Sequence, residues 1–509
     1  MRRTLPVIAA VTMTASLLIA GPATAKSHPK PVDTSKLTKA VTVNGQLKTL
    51  RQLQVIANRN EGTRASGLPG FDASADYVAA QLKKAGYKVK RQTFVFPFSR
   101  DLEPATLQQL TPENKAIETE AFDYSGSGDV TGPITNINLT IPPGDAGTAP
   151  SGCEPADFPA PSGDNAVALL QRGTCNFGVK AANAEAAGYA AAIIFNEGQE
   201  GRQELLTGTL GDPVGIPVVG ISYEDGVALS EAAGATVHVT TKTEIDLNRT
   251  TSNVIADLPG KTKNPDQVVV VGAHLDSVAA GPGINDNGTG TAGVLEIAKQ
   301  YKKTGLAKKA QRPVRFAFWG AEEKGLLGAY HYVESLSDAQ RAKIYANLNF
   351  DMIGSPNFVR FVYDGDGSDG DAGPAGSAEI EKVFLDYFGK KGLASAPTAF
   401  DGRSDYGPFI EAGIPAGGLF SGAEGVKTPE EAAIFGGTAG QPYDSCYHQA
   451  CDDITNLSTT AISQLGDAAA HSVAVLALSK KGLYGDAKRS TKSAKKLGSV
   501  KSHGHALTR

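Results

Sequence analysis

The chain has 509 residues, which points to two or more domains, and its formal net charge of −4 gives no electrostatic footprint for nucleic acid. Its leading apolar run, Pro6 to Ala20, is too short to span a membrane, and no longer one follows, so no membrane span is expected.

Arg2 and Arg3, that apolar run, and then Ala23-Thr24-Ala25 have the order of a signal peptide cleaved after Ala25. A secreted, extracellular protein is expected, and such a setting permits disulfides. Residues 26–112 follow, with a short propeptide conceivable at 26–40. Here GQLKTLRQLQVIAN and ASADYVAAQLKKAG predict two helices, the second capped by Asp72 or Ser74. YKVKRQTFVF then predicts a strand.

From about 113 to 245 the chain becomes rich in Gly, Pro and Ala. AVALLQRG, AAIIFN and IPVVGIS predict strands, and AANAEAAG a helix among them. Residues 246–482 resume with longer strands. VVVVGAH, residues 268–274, carries four bulky β-branched residues in a row, the signature of a strand buried on both faces in a parallel sheet. Ligands of such sheets sit at the carboxyl ends of the strands, where His274 and Asp276 fall. Spaced two apart in extended chain, they point the same way, so Asp276 can orient a metal-bound His274. Asp286 follows in a Gly-rich loop before a predicted helix.

Two further strand ends and one loop carry chemistry. RPVRFAFWGAEE ends on Glu322 and Glu323, which alternation would send to opposite sides. NLNFDMIG ends on Asp351, and CYHQACDD sets Tyr447 and His448 in a small loop between two cysteines. Each item alone has an ordinary structural reading, such as a cap or a solvated face. Their order (His, Asp, Glu-Glu, Asp, His, each at an element end) points to a metallohydrolase.

Four cysteines allow three pairings, of which proximity and domain grouping favour Cys153–Cys175 and Cys446–Cys451. The carboxyl end, 483–509, is a basic tail with seven Lys or Arg against one acid, Asp486. It cannot bury enough apolar surface to fold alone and is expected to be disordered or a propeptide.

The motifs HLDS, GINDNGTG, GAEEKGLLG, NFDMIG, FDGRSDYGPF and CYHQACD resemble those of the secreted co-catalytic dizinc aminopeptidases, a family that includes bacterial leucine aminopeptidases and vacuolar aminopeptidase Y. QRGTCNFGVKAANAEAAGYAAAIIFN resembles a protease-associated (PA) domain. The resemblance implies an α/β fold: a mostly parallel central sheet flanked by helices, with a smaller strand-rich PA domain inserted at 113–245. It implies two Zn²⁺ per chain, one on His274 and Asp351, the other on Glu323 and His448, with Asp286 shared. Glu322 would be the general base acting on a water between the metals, and the substrate a peptide or protein amino terminus, Leu-like and apolar by preference. Main-chain carbonyl of Arg403, the Phe420 pocket wall and the Tyr447 hydroxyl would contact it.

Charge supports this ligand set. Three carboxylates and two neutral imidazoles leave two zinc ions near neutrality once a hydroxide joins them. An ion pair of Arg403 with Asp401 or Asp405, and Phe420 as ordinary core, stay open beside the substrate roles. The protein is expected to be a monomer, and a calcium requirement is left open. Two other functions fit the same plan: a carboxypeptidase or amidase on a related sheet, and a non-catalytic receptor.

Overall fold

A computed structural model describes residues 32–258, 260 and 262–483. The signal-like stretch 1–25 and the basic tail beyond Leu483 lie outside the described residues.

The larger lobe is built on four parallel strands in the spatial order Val314–Trp319, Val268–His274, Ile344–Phe350 and Ala416–Phe420. Both faces are covered, as expected for a parallel sheet with apolar runs. Val269 and Val271 belong to one core with Leu53, Phe71 and Val294, whereas Val270 belongs to another with Trp319, Tyr332 and Phe409. The first core is formed by helices Val43–Asn58, Pro69–Lys84, Gly290–Lys303 and Thr459–Leu478, and the second by Leu327–Glu334 and Gly407–Glu411. Beyond the last parallel strand, Phe361–Tyr363 runs antiparallel and Ala396–Thr398 closes that edge.

Helix Thr459–Leu478 is long and apolar enough to cross a membrane. It is instead a core helix, with Ile462, Leu465 and Val473 fully buried against the sheet.

At the opposite edge the sheet continues into a two-stranded ribbon. Thr236–Asp257 pairs antiparallel with Val314–Trp319 at its far end and with Lys88–Thr111 along most of its length. Register shifts between Phe96 and Phe98 and between Asp101 and Glu103 bend this ribbon outward. Its outer half carries the smaller lobe: Gly128–Asn136, then parallel Val167–Gln171, Ala191–Phe195 and Val218–Ile221, closed by antiparallel Glu120–Ala121. Phe177–Ala186 is the helix expected between those strands. The fold is therefore the expected one, a central sheet flanked by helices with a strand-rich lobe inserted.

Two local expectations need correction. Neither Asp72 nor Ser74 caps the second helix, which starts earlier at Pro69 with Leu68 in the cap position. Proline suits the first helical turn because its missing N–H has no partner there, and Ser74 instead donates back to the Gly70 carbonyl at 2.8 Å. The strand expected to end at Phe96 runs to Thr111, because the bulges break the alternation without ending the pairing.

Candidate active site

The site lies at the carboxyl ends of the parallel strands. His274 is the last residue of its strand, and Asp351 directly follows Ile344–Phe350. Gly272, two residues before His274, is dictated by packing: a Cβ there would stand 2.5 Å from the Trp319 indole nitrogen. Glu322 and Glu323 were expected to diverge by strand alternation. They lie instead in a turn past Trp319, after Ala321 with φ 52°. The turn still separates them, Glu322 Oε2 standing 3.8 Å from His274 Nε2 and Glu323 Oε2 3.1 Å from His448 Nε2.

Asp286 stands between the two imidazoles. Its Oδ1 is 3.2 Å from His274 Nε2, and its Oδ2 is 3.2 Å from His448 Nε2. Asp351 Oδ1 is 3.3 Å from His274 Nε2, while its Oδ2 accepts a 2.5 Å hydrogen bond from Ser404. Asp276 serves two neighbours. Its Oδ1 lies 3.6 Å from His274 Nδ1 and accepts from the Glu322 amide at 3.3 Å.

Several residues missed by sequence reasoning hold these groups in place. Asp452 accepts from the amides of Asn285 at 2.7 Å and Asp286 at 2.9 Å, fixing the loop that carries Asp286. Asp444 accepts from Asn285 Nδ2 at 2.6 Å and from the Cys446 amide at 2.9 Å, which ties the His448 loop to that of Asp286. Arg64 is fully buried and donates to the carbonyls of Leu275, Pro282 and Gly283, pinning both ends of the segment after His274. The acid pair closing CYHQACDD was a signal for Asp452. Arg64 gave none, since its partners lie more than 200 residues away, as with Gly283 at a separation of 219.

The disulfides are Cys153–Cys175 and Cys446–Cys451, as expected. The second closes the loop in which His448 has φ 58°. Ala321, Met352 and His448, all non-glycine, share the left-handed region, which L side chains adopt at a cost. Tyr447 stacks on His448 with ring centroids 3.8 Å apart.

Arg403 pairs with neither Asp401 nor Asp405 through its guanidinium. Nη1 meets Glu424 at 2.8 Å, Nη2 donates to Tyr447 Oη at 3.3 Å, and only the main-chain amide reaches Asp401, at 3.0 Å. A nearby aspartate in sequence lost to a glutamate on a facing loop. Phe420 stacks on Phe361 at 5.9 Å and also lines the cleft, so its packing and wall positions coexist. The same cleft is lined by His274, Asp286, Glu322, Asp351, Arg403 and Tyr447.

Electrostatically the site is overloaded with acid. Burial pushes the Glu322 carboxyl well above the usual range, and Asp405, Glu323 and Asp351 add to this against His274. Burial also disfavours protonation of both imidazoles, but the carboxylates outweigh it. Glu322 and Asp351 raise His274 well above its ordinary value, and Glu323 and Asp286 raise His448 to about 9. Asp351 Oδ1, Glu323 Oε1, Asp276 Oδ2 and both oxygens of Asp405 are buried without a hydrogen bond. So much negative charge is costly out of water unless a cation accompanies it. His274, Asp286 and Glu323, and again His274, Glu322 and Asp351, each place donor atoms within 4.8 Å of one another. Imidazole and carboxylate are the donors zinc takes, so these residues fit zinc.

Comparison with known proteins agrees with this chemistry. Residues 253–473 match the model of peptidase family M28, and residues 130–229 match the PA domain. An aminopeptidase of Pseudomonas aeruginosa is 47% identical over 459 residues, covering 87% of this chain and 83% of that protein. Leucine aminopeptidase 2 of Trichophyton tonsurans is 40% identical, covering 89% of this chain and 88% of its own. The structure of a zinc aminopeptidase from Bacillus subtilis, BSAP, superposes with a TM-score of 0.62 at 29% identity, covering 88% of this chain and 97% of that one. The chain belongs to peptidase family M28, with a PA domain inserted, and is an aminopeptidase of the zinc exopeptidase kind.

Proposed function

We propose that this aminopeptidase holds two zinc ions and removes Leu-like, apolar residues from peptide amino termini. The observation that carries the reading is Asp286, which offers one oxygen to the vicinity of each imidazole. His274 and Asp351 would hold one ion, Glu323 and His448 the other, and Asp286 would be shared. When bound, zinc supplies the Lewis acidity that activates water and polarises the scissile carbonyl.

The chain's own residues do the rest. Glu322, left free of metal, takes a proton from the attacking water and passes it to the leaving amine. Asp276 keeps the His274 ring and the Glu322 main chain in register. Tyr447 donates to the oxygen on which charge develops. The acids around Glu322 and Asp351, with the Arg403 carbonyl, receive the substrate ammonium, and Phe420 borders the hollow for the first side chain.

We also assign residues 113–245 as the PA insert and residues 1–25 as an export signal. The PA match at 130–229 and the two disulfides support these assignments.

The test is a pair of leucyl peptides, one with a free and one with an acetylated amino terminus. Acetylation removes the ammonium and adds bulk where the substrate should end, so its cleavage should nearly cease. Equal turnover of the two would refute the amino-terminal recognition proposed here.

A further inference from the structure

The Arg403 side chain has no part in the roles above, which use only its carbonyl. Its guanidinium nevertheless links the cleft rim to Tyr447. One arm, Nη1, is held by Glu424 at 2.8 Å, and the other, Nη2, donates to Tyr447 Oη at 3.3 Å. The Arg403 amide is fixed as well, by Asp401 at 3.0 Å, so the arginine reaches Tyr447 from an anchored main chain.

A phenol oxygen carries one proton and accepts on the side away from it. With Arg403 occupying the accepting side, the Tyr447 O–H is turned elsewhere. The ring itself cannot swing freely, because it lies face to face with His448 at 3.8 Å and an interplanar angle of 24°. Ring plane and hydroxyl direction are thus fixed by two different neighbours.

The hydroxyl needs that guidance, because Tyr447 lines one cleft with the carboxylates of Asp286, Glu322 and Asp351. A phenol proton spent on a carboxylate is lost to the substrate. A guanidinium suits the task because it can only donate, so it can never compete for the phenol proton.

We propose that Arg403 is a positioning residue for catalysis: by donating to Tyr447 Oη from the rim, with Glu424 as its anchor, it aims the Tyr447 hydroxyl at the substrate carbonyl oxygen. The inference rests on the role proposed above for Tyr447. Arg403 acts through that hydroxyl, so its effect belongs to kcat and vanishes when the hydroxyl is gone.

A double-mutant cycle tests this with wild type, Arg403→Met, Tyr447→Phe and the pair, assayed on a leucyl anilide, with zinc content and melting temperature measured alongside. Tyr447→Phe should lower kcat about a hundredfold, as for loss of one oxyanion donor. Arg403→Met should lower kcat about tenfold and leave KM within about twofold. In the Tyr447→Phe background the same change should cost less than about twofold. Arg403→Lys, which keeps a donor, should retain more kcat than Arg403→Met in the Tyr447 protein and show no such advantage in the Tyr447→Phe background. A tenfold loss from Arg403→Met in both backgrounds, or a loss confined to KM, would overturn the proposal while leaving Tyr447's role intact. A Tyr447→Phe protein with wild-type kcat would refute the role of Tyr447 itself.

Discussion

The two lobes bury charge in opposite ways. In the smaller lobe, Glu197 is buried but accepts from the amides of Gly147 and Thr148 and from Arg202 at 2.7 Å, and buried Lys180 donates to the Ser151 carbonyl. At the carboxyl end of the large sheet, oxygens of Asp276, Glu323, Asp351 and Asp405 are equally buried and have no hydrogen bond. Buried acids left so are costly unless a cation or ordered water meets them. The contrast separates a lobe complete in itself from one built around a ligand.

The largest expected effect breaks the catalytic lobe's chemistry while sparing its metals. Glu322→Gln removes a proton acceptor and no proposed ligand, so kcat should fall about a thousandfold with zinc content unchanged. Loss of zinc in that variant, by metal analysis, would contradict the role given to Glu322.

Asp286→Ala attacks the shared ligand. It should lower zinc content more than His274→Ala or His448→Ala does, because both ions depend on it. Equilibrium dialysis showing two zinc ions held at native affinity would remove Asp286 from the shared position.

The two disulfides give the comparison directly. Cys446–Cys451 closes a separation of only 5 residues and Cys153–Cys175 one of 22. Loop entropy makes the first worth about 2 kcal/mol and the second about 3 kcal/mol. Replacing both cysteines of the first by Ser should lower kcat about tenfold, since the loop carries Tyr447 and His448. Doing the same to the second should leave kcat within about twofold and cost more stability. Kinetics paired with urea unfolding would show whether that ordering holds.

The smallest effect is a pH dependence in the smaller lobe. Burial lowers the Lys180 pKa to about 8 from 10.5, with Glu197 and Asp157 opposing. Between these values the unfolded chain binds a proton that the folded chain has released, so stability rises with pH across the window. Below it the cost is complete and constant. Lys180→Met should remove most of that rise relative to wild type in unfolding series run through the window. An unchanged slope would show that Lys180 is not desolvated as described.

How much of this was legible in the sequence follows from chemistry and distance. His274, Glu322, Glu323 and Asp351 could be found because each ends or follows a short apolar run, and parallel sheets place such ends together, while Asp286 and His448 were marked by a Gly-rich loop and a cysteine-bounded one. The supports were harder. Asp452, marked by an acid pair, holds main-chain amides and Asp444 the Asn285 side chain of a loop 150 or more residues earlier, as with Asp286 at a separation of 166, and sequence spacing does not announce those partners. Arg64 sat in a loop with no periodicity. The bend of the Lys88–Thr111 ribbon was hidden because bulges disturb alternation, and Pro69 was overlooked in favour of the more familiar capping side chains. The sequence left Arg403 open to Asp401 or Asp405 as ion-pair partners, and neither receives its guanidinium because a facing loop delivers Glu424.

On the proposed reading the acids at the end of the large sheet surround metal held by His274, Asp286, Glu323, Asp351 and His448. Zinc per chain, followed during stepwise chelation alongside hydrolysis of a leucyl peptide, tests it most directly. Two zinc ions are expected in the active protein, with activity lost as they leave and restored when zinc returns. Full activity in protein from which zinc has been removed would contradict it.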